Sequence, residues 1–130
     1  MLIRENQMQT FESEMKARFA RRLAAELRQE YPDLDEQMSE ERLLELILEG
    51  VERAEGYGLD SDTDVETFVR LLFVVGWYFD RHPFFHDFLT EEDYEPTEKI
   101  EYMLEAATEK DWREAALYSK SEAVMEEESG

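Results

Sequence analysis

The side chains best suited to metal chemistry lie together around Pro83. His82 and His86 are four residues apart, and Asp80 and Asp87 lie beside them. Two histidines at this spacing on a regular helix can share a zinc ion, which suggests a small metal-dependent enzyme that uses His82, His86 and Asp80. Pro83 interrupts the helix between the histidines, however, and no third ligand is obvious. We therefore predict that these histidines cap helix ends or lie on the surface, and that the chain binds no metal.

The remaining candidates for catalysis are carboxylates. Acid–base catalysis needs a cleft and two carboxylates in distinct environments, and in a chain with 34 acidic residues adjacent carboxylates arise by coincidence. The sequence contains no nucleophile elbow, no phosphate-binding glycine loop and no dinucleotide fingerprint. It also lacks cysteine, which excludes thiol nucleophiles and disulfides and fits a reducing compartment. We predict a protein without enzymatic activity and without a cofactor.

The charge of the chain is strongly acidic and unevenly distributed. The formal net charge is −20, and residues 31–130 contain 29 acidic and eight basic side chains. Such a surface repels nucleic acid and anionic membranes, whereas it attracts a basic protein surface and accelerates the encounter. We predict a basic protein partner, no nucleic acid and no membrane. Solubility alone is the alternative explanation of the charge.

The hydrophobic pattern also indicates where the protein resides. The first residues contain no apolar run long enough for a signal peptide. The longest apolar run, at 71–77, is too short for a membrane span. We predict a cytoplasmic protein, and the pattern leaves its oligomeric state undetermined.

Apolar residues recur with helical spacing along the chain, and no useful length alternates with a period of two. The stretch 64–89 contains six of the eight phenylalanines and one of the two tryptophans, and its first half is apolar on nearly every side. A helix that is apolar all round is normally buried. We predict an all-α fold, a single-domain bundle of about five helices around a buried central helix at 64–78. The domain spans 1–125, and the acidic end at 126–130 is predicted to be a disordered tail.

Polar residues, glycine and proline predict where these helices begin and end. Ser39 is the expected cap of the second helix, and Gly58 is the expected left-handed residue after it. Thr63 and Glu66 match a capping box at the start of the central helix. Thr97 is the expected cap of a later helix. Pro32 is expected to end the first helix, because the residue before a proline is disfavoured in helical geometry.

Three phenylalanines and two acidic faces are the candidate partner contacts. Phe84, Phe85 and Phe88 share one face of a short segment. Either all three close one end of the core, or one stays exposed as a binding anchor. The acidic faces belong to the second and fourth helices. The complete predicted set is Glu45, Glu49, Glu52, Glu55, Phe84, Phe85, Phe88, Glu101 and Glu105.

Three groups of residues resemble one protein family. The first is I-R-x-x-Q-M-x-x-F at 3–11, the second is A-x-x-Y-G-L-D-S-D-x-D-V at 54–65, and the third comprises Leu71, Leu72, Phe73, Gly76, Phe79 and Asp80. In this combination, residues 3–107 resemble a family of small helical bacterial proteins encoded beside type VI secretion spike and toxin effector genes. The chain departs from the family pattern after Asp80, where phenylalanines replace a tryptophan.

The resemblance carries a functional expectation. It implies an immunity protein that binds a secreted toxin or effector in the cytoplasm. An adaptor that loads an effector onto a secretion spike is the alternative. The family has no active site whose residues could be transferred to this chain.

Overall fold

A computed structural model gives the fold. It describes the backbone of residues 2–129 and the side chains of residues 13–34 and 36–125. Within this range the helical elements are α1 (Leu2–Glu30), α2 (Leu34–Gln37), α3 (Glu40–Gly56), α4 (Asp62–Val74), a 3-10 turn (Phe79–Arg81), α5 (Pro83–Thr90), α6 (Pro96–Ala106) and α7 (Glu109–Ser129). The described backbone contains no strand, which confirms the all-α prediction.

The chain divides into two compact units, and the first comprises residues 1–49. Here α1 ends at Glu30, two residues before Pro32, as expected because the residue before a proline is disfavoured in helical geometry. Successive buried positions among the described residues of α1 are three residues apart or adjacent, which gives one apolar face. Among the described side chains of this unit, the buried apolar ones are Ala20, Leu23, Ala24, Leu27, Leu43 and Ile47.

The second unit comprises residues 50–130, and its core is aromatic. The 3-10 turn contacts α4, α5 and α7, and α6 contacts α4 and α5. Phe79 of this turn lies between Phe68 and Phe85, with ring centroids 5.7 and 5.6 Å away. All three phenylalanines are completely buried. The core of this unit therefore forms around a short turn as much as around a helix.

The predicted central helix at 64–78 is wrong in extent and in burial. α4 ends at Val74, and its buried residues Val65, Phe68, Val69 and Leu72 form one face only. Val74 is 58% exposed. The apolar run at 65–79 thus combines an amphipathic helix with a following turn, and periodicity alone does not separate the two.

Gly76 explains why the helix stops early. Its φ is 158°, and a Cβ at this position would overlap the Ser119 side chain on α7. The Ser119 hydroxyl accepts a hydrogen bond from the backbone N–H of Tyr78 at 2.8 Å. This close approach of α7 needs a residue without a side chain, and it redirects the chain into the 3-10 turn.

The helix-boundary predictions are confirmed in part. Ser39 caps α3, since its Oγ accepts from the backbone N–H of Arg42 at 3.1 Å, and Gly58 adopts a left-handed φ of 87°. The cap of α4 is Ser61 rather than Thr63. The capping box of α6 uses Glu95 and Glu98 rather than Thr97, because Pro96 is the first residue of the helix.

Two regions named in the sequence analysis lie beyond the described side chains. The tail at 126–130 and the first family-like motif at 3–11 both lie outside them. None of the helices in the described part of the chain combines the length and apolar character that crossing a membrane requires.

Candidate functional site

Asp80, the carboxylate of the alternative metal-dependent enzyme, lies in an ion-pair network. Asp80 is 1% exposed. Its Oδ1 accepts a hydrogen bond from Arg53 at 3.1 Å, and its Oδ2 accepts one from the Tyr57 hydroxyl at 2.7 Å. A buried charge is tolerated when it is paired and hydrogen-bonded. Both oxygens of Asp80 are therefore engaged in holding the fold.

Arg53 ties α3 to the chain that follows α4. The nitrogen that reaches Asp80 also donates to the Trp77 carbonyl at 2.6 Å. The guanidinium carbon lies 5.2 Å from the Trp77 ring centroid and 5.8 Å from that of Tyr78. A planar, weakly hydrated cation suits this combination of hydrogen bonds and ring contacts. Arg53 was not among the residues predicted from the sequence, although Asp80, directly after the aromatic run at 77–79, indicated that a cation lies nearby.

Tyr57 completes the network from the residue after α3. Burial, followed by the hydrogen bond to Asp80, raises the phenolic pKa of Tyr57 well above its ordinary value. Its backbone carbonyl accepts a hydrogen bond from the Lys99 ammonium at 2.7 Å. Tyr57 therefore remains a neutral donor at physiological pH and contributes to stability.

The two histidines do not share a site with Asp80. His86 Nδ1 lies 3.2 Å from the Asp80 backbone oxygen, whereas His82 Nε2 lies 4.0 Å from a carboxylate oxygen of Glu114 on α7. Across the described side chains, no group of three or more His, Asp or Glu residues is arranged to hold a metal ion. The metal-dependent enzyme considered for His82, His86 and Asp80 thus has no geometric support.

The predicted phenylalanine anchor is wrong for Phe85. Phe85 is completely buried, and its ring centroid lies 4.6 Å from that of Trp112. Phe84 and Phe88 are half-buried and lie 5.2 Å apart, and Phe88 stacks on Tyr94 at 6.2 Å. Phe85 therefore belongs to the core, while Phe84 and Phe88 form the edge of the same aromatic cluster and remain partly accessible.

The six glutamates predicted to contact a partner all have exposed side chains. On α3, Glu45, Glu49 and Glu52 are spaced by four and three residues, so they share one face of the helix. Leu48 lies on the same face and is also exposed. Glu101 and Glu105 lie one turn apart on α6. The exposed set is Glu45, Glu49, Glu52, Glu55, Glu101 and Glu105.

Internal contacts engage most of the cations of the acidic region. Within residues 36–125, no ion pair involves Glu49, Glu52, Glu101 or Glu105. The negative charge of these four glutamates is therefore not neutralised by an ion pair among the described side chains. Six of the eight basic residues after Glu30 contact carboxylates or a carbonyl: Arg42 with Glu45, Arg53 with Asp80, Arg70 with Glu66, Arg81 with Glu122, Lys99 with Tyr57 and Lys110 with Glu114.

The family-like residues have structural roles where the structure describes them. Tyr57 and Asp80 bond to each other, Leu59 is buried, and Gly58 supplies the left-handed turn. The resemblance therefore remains a prediction from motifs. No protein-family model, curated protein or solved structure matches this chain.

Proposed function

We propose that this chain is a non-enzymatic protein that binds a basic protein partner through the acidic face of α3. The observation that carries the proposal is the row of exposed glutamates on one face of this helix. Two of them, Glu49 and Glu52, have no ion pair among the described side chains. The acidic face of α6, with Glu101 and Glu105, is a second candidate contact.

Electrostatics and burial have separate roles in this proposal. Long-range attraction between an acidic and a basic surface mainly raises the association rate. A buried apolar contact near the centre of an interface mainly lowers the dissociation rate. Leu48 lies among the glutamates of α3 and is 36% exposed, so it is the apolar contact available on this face.

The resemblance to proteins encoded beside secretion spikes and toxin effectors favours an immunity role. On this proposal the partner is a basic toxin or effector, and the acidic face covers its basic surface in the cytoplasm. Binding alone does not distinguish this role from an adaptor. An immunity protein restores growth to cells that express the toxin, whereas an adaptor is required for secretion of the effector.

The test uses the toxin or effector encoded next to this gene and compares two variants of equal charge. Glu49→Lys with Glu52→Lys changes the α3 face, whereas Glu92→Lys with Asp93→Lys changes an exposed loop by the same amount. Association rates are measured against salt concentration by surface plasmon resonance. We expect the α3 variant to bind more slowly and with a weaker salt dependence, because screening affects exposed charges most.

Three results would contradict the proposal. The first two are an acidic partner and an association rate that does not change with salt. The third is an equal loss of association rate in both variants, which would show that net charge matters and the α3 face does not.

A further inference from the structure

The outward face of α7 has a composition unlike the rest of the acidic region. Along it lie three cations and two apolar residues, and all five side chains are exposed. Leu117 and Val124 are 65% and 53% exposed. Lys110 makes a 3.9 Å contact with Glu114, which leaves its side chain 79% exposed. We refer to this face as the basic stripe, which consists of Lys110, Arg113, Leu117, Lys120 and Val124.

The spacing of the basic stripe is that of a helix-packing face. Its members follow one another at intervals of three, four, three and four residues. This alternation places side chains along one side of a helix and is the pattern by which one helix packs against another. The inner face of α7 is already used, because the buried residues Ala115 and Ser119 lie on the opposite side. The basic stripe is thus a second, outward packing face of the same helix.

The outward face of α3 has the complementary composition and spacing. Its exposed residues follow one another at intervals of four, three, four and three. We refer to them as the acidic stripe, which consists of Glu41, Glu45, Leu48, Glu52 and Glu55. Read from its carboxyl end, the acidic stripe has the same intervals as the basic stripe read from its amino end. Each stripe covers 15 residues, which is about 22 Å of helix.

When the two stripes are aligned antiparallel, carboxylates of the acidic stripe face cations of the basic stripe, and the two leucines face each other. Leu48 faces Leu117 at the centre. The flanking layers are Glu52 with Arg113 and Glu45 with Lys120, and the outer layers are Glu55 with Lys110 and Glu41 with Val124. Three of the five layers join a carboxylate to a cation, and none joins like charges.

We propose that the basic stripe of α7 binds the acidic stripe of α3 in a second copy of this chain. Two molecules with a net charge of −20 repel each other at long range. At about 0.15 M salt the Debye length is about 8 Å. Salt therefore screens this long-range repulsion more strongly than the attraction between opposite charges in contact. Local complementarity and the central leucine contact then favour association, and the proposal does not depend on the identity of any other partner.

The test measures self-association of the purified full chain by sedimentation equilibrium at about 0.15 M salt. Concentrations from about 10 µM to about 1 mM cover the range of weak dissociation constants. We expect the mean mass to rise with concentration. Glu45→Lys with Glu52→Lys, or Arg113→Glu with Lys120→Glu, should weaken association at least about tenfold, because two attractive layers become repulsive.

Two control variants separate the stripes from net charge. Glu92→Lys with Asp93→Lys changes the charge as the α3 variant does, and Arg18→Glu with Arg21→Glu changes it as the α7 variant does. All four positions are exposed and lie outside both stripes. The dissociation constant of each control should lie within about threefold of that of the native chain. The change in net charge has only a small effect, because salt screens it.

Mixing the two stripe variants gives the most specific result. In the mixture, the reversed α3 stripe of one protein meets the reversed α7 stripe of the other, and the native stripes also face each other. We expect hetero-association to return while each variant alone stays monomeric. A native chain that is monomeric throughout, stripe variants that associate like their controls, or a mixture that remains monomeric would each overturn the proposal. These outcomes leave the basic-partner proposal untouched, since no partner is present.

Discussion

Two arginines of α3 form ion pairs of equal length with different expected consequences. Arg42 contacts Glu45 at 3.1 Å, and Arg53 contacts Asp80 at 3.1 Å. The Glu45 side chain is 64% exposed, whereas that of Asp80 is 2% exposed. Water and salt screen the first pair, so it contributes little. The second carboxylate has lost its hydration, and it depends on the arginine and on Tyr57.

The comparison separates the carboxylates that hold the fold from those that are available for binding. A buried carboxylate is fixed by its protein partners and cannot be replaced cheaply. An exposed carboxylate on α3 can exchange water or a neighbouring cation for a partner at small cost. This difference is why the exposed glutamates are the candidate binding residues, although Asp80 has the more elaborate surroundings.

The largest expected effect comes from removing the arginine of the buried pair. Arg53→Met should lower the free energy of unfolding by about 3–5 kcal/mol, because it leaves an uncompensated buried carboxylate. Arg42→Met removes an exposed pair of the same length and should cost less than about 1 kcal/mol. Urea denaturation of both variants provides the measurement. Equal losses would mean that burial does not distinguish the two pairs.

A smaller effect is expected where α7 approaches the turn after α4. Gly76→Ala should cost about 1–3 kcal/mol, because the new methyl group would overlap Ser119 in a packed region. Gly56→Ala is the matched control, since nothing lies within 4 Å of a Cβ at that position. The control should be neutral or stabilising by up to about 1 kcal/mol. Thermal melting of both variants provides the measurement, and equal melting temperatures would contradict the close approach of Ser119 to Gly76.

Tyr57→Phe should lower the free energy of unfolding at neutral pH by about 1–2 kcal/mol. The reason is that Asp80 Oδ2 loses the hydroxyl that donates to it. The raised pKa of Tyr57 also predicts a pH effect. Above about pH 10 an unfolded tyrosine ionises while folded Tyr57 keeps its proton, so the free energy of unfolding falls as pH rises. This contribution is fully present below that pH.

Denaturation of Tyr57→Phe between about pH 9 and about pH 11 checks the linkage. The variant lacks the titrating group, so its stability should fall less steeply than that of the native chain. Tyr31→Phe, at an exposed position, is the control for the loss of a tyrosine hydroxyl. Parallel curves for Tyr57→Phe and the native chain would contradict the assignment of Tyr57 as a protonated donor to Asp80.

The smallest effect on stability is expected on the acidic face of α3. Glu49→Lys with Glu52→Lys should change the free energy of unfolding by less than about 0.5 kcal/mol per position, because exposed substitutions break no buried contact. The same substitutions are expected to slow partner binding. Circular dichroism melting therefore complements the binding measurement. A large stability loss would place these glutamates among the groups that hold the fold.

The sequence by itself determined the helical class and the approximate ends of several helices. Helical periodicity is local, because side chains three and four residues apart share a face wherever the backbone is helical. Pro32, Ser39 and Gly58 act through their own backbone geometry or a hydrogen bond within one turn. The acidic character of the α3 face follows from the same periodicity together with composition.

Tertiary structure decided which polar groups are paired and which aromatic residues are hidden. Asp80 meets Arg53 and Tyr57 across 27 and 23 residues of chain. No local pattern selects these two from the other cations and hydroxyls, because the choice depends on which helices pack together. The burial of Phe85 beside the partly accessible Phe84 and Phe88 has the same origin. Phe85 lies against Trp112 of α7, a residue distant in sequence, whereas Phe88 lies against the nearby Tyr94, so the packing of α7 set the difference in exposure.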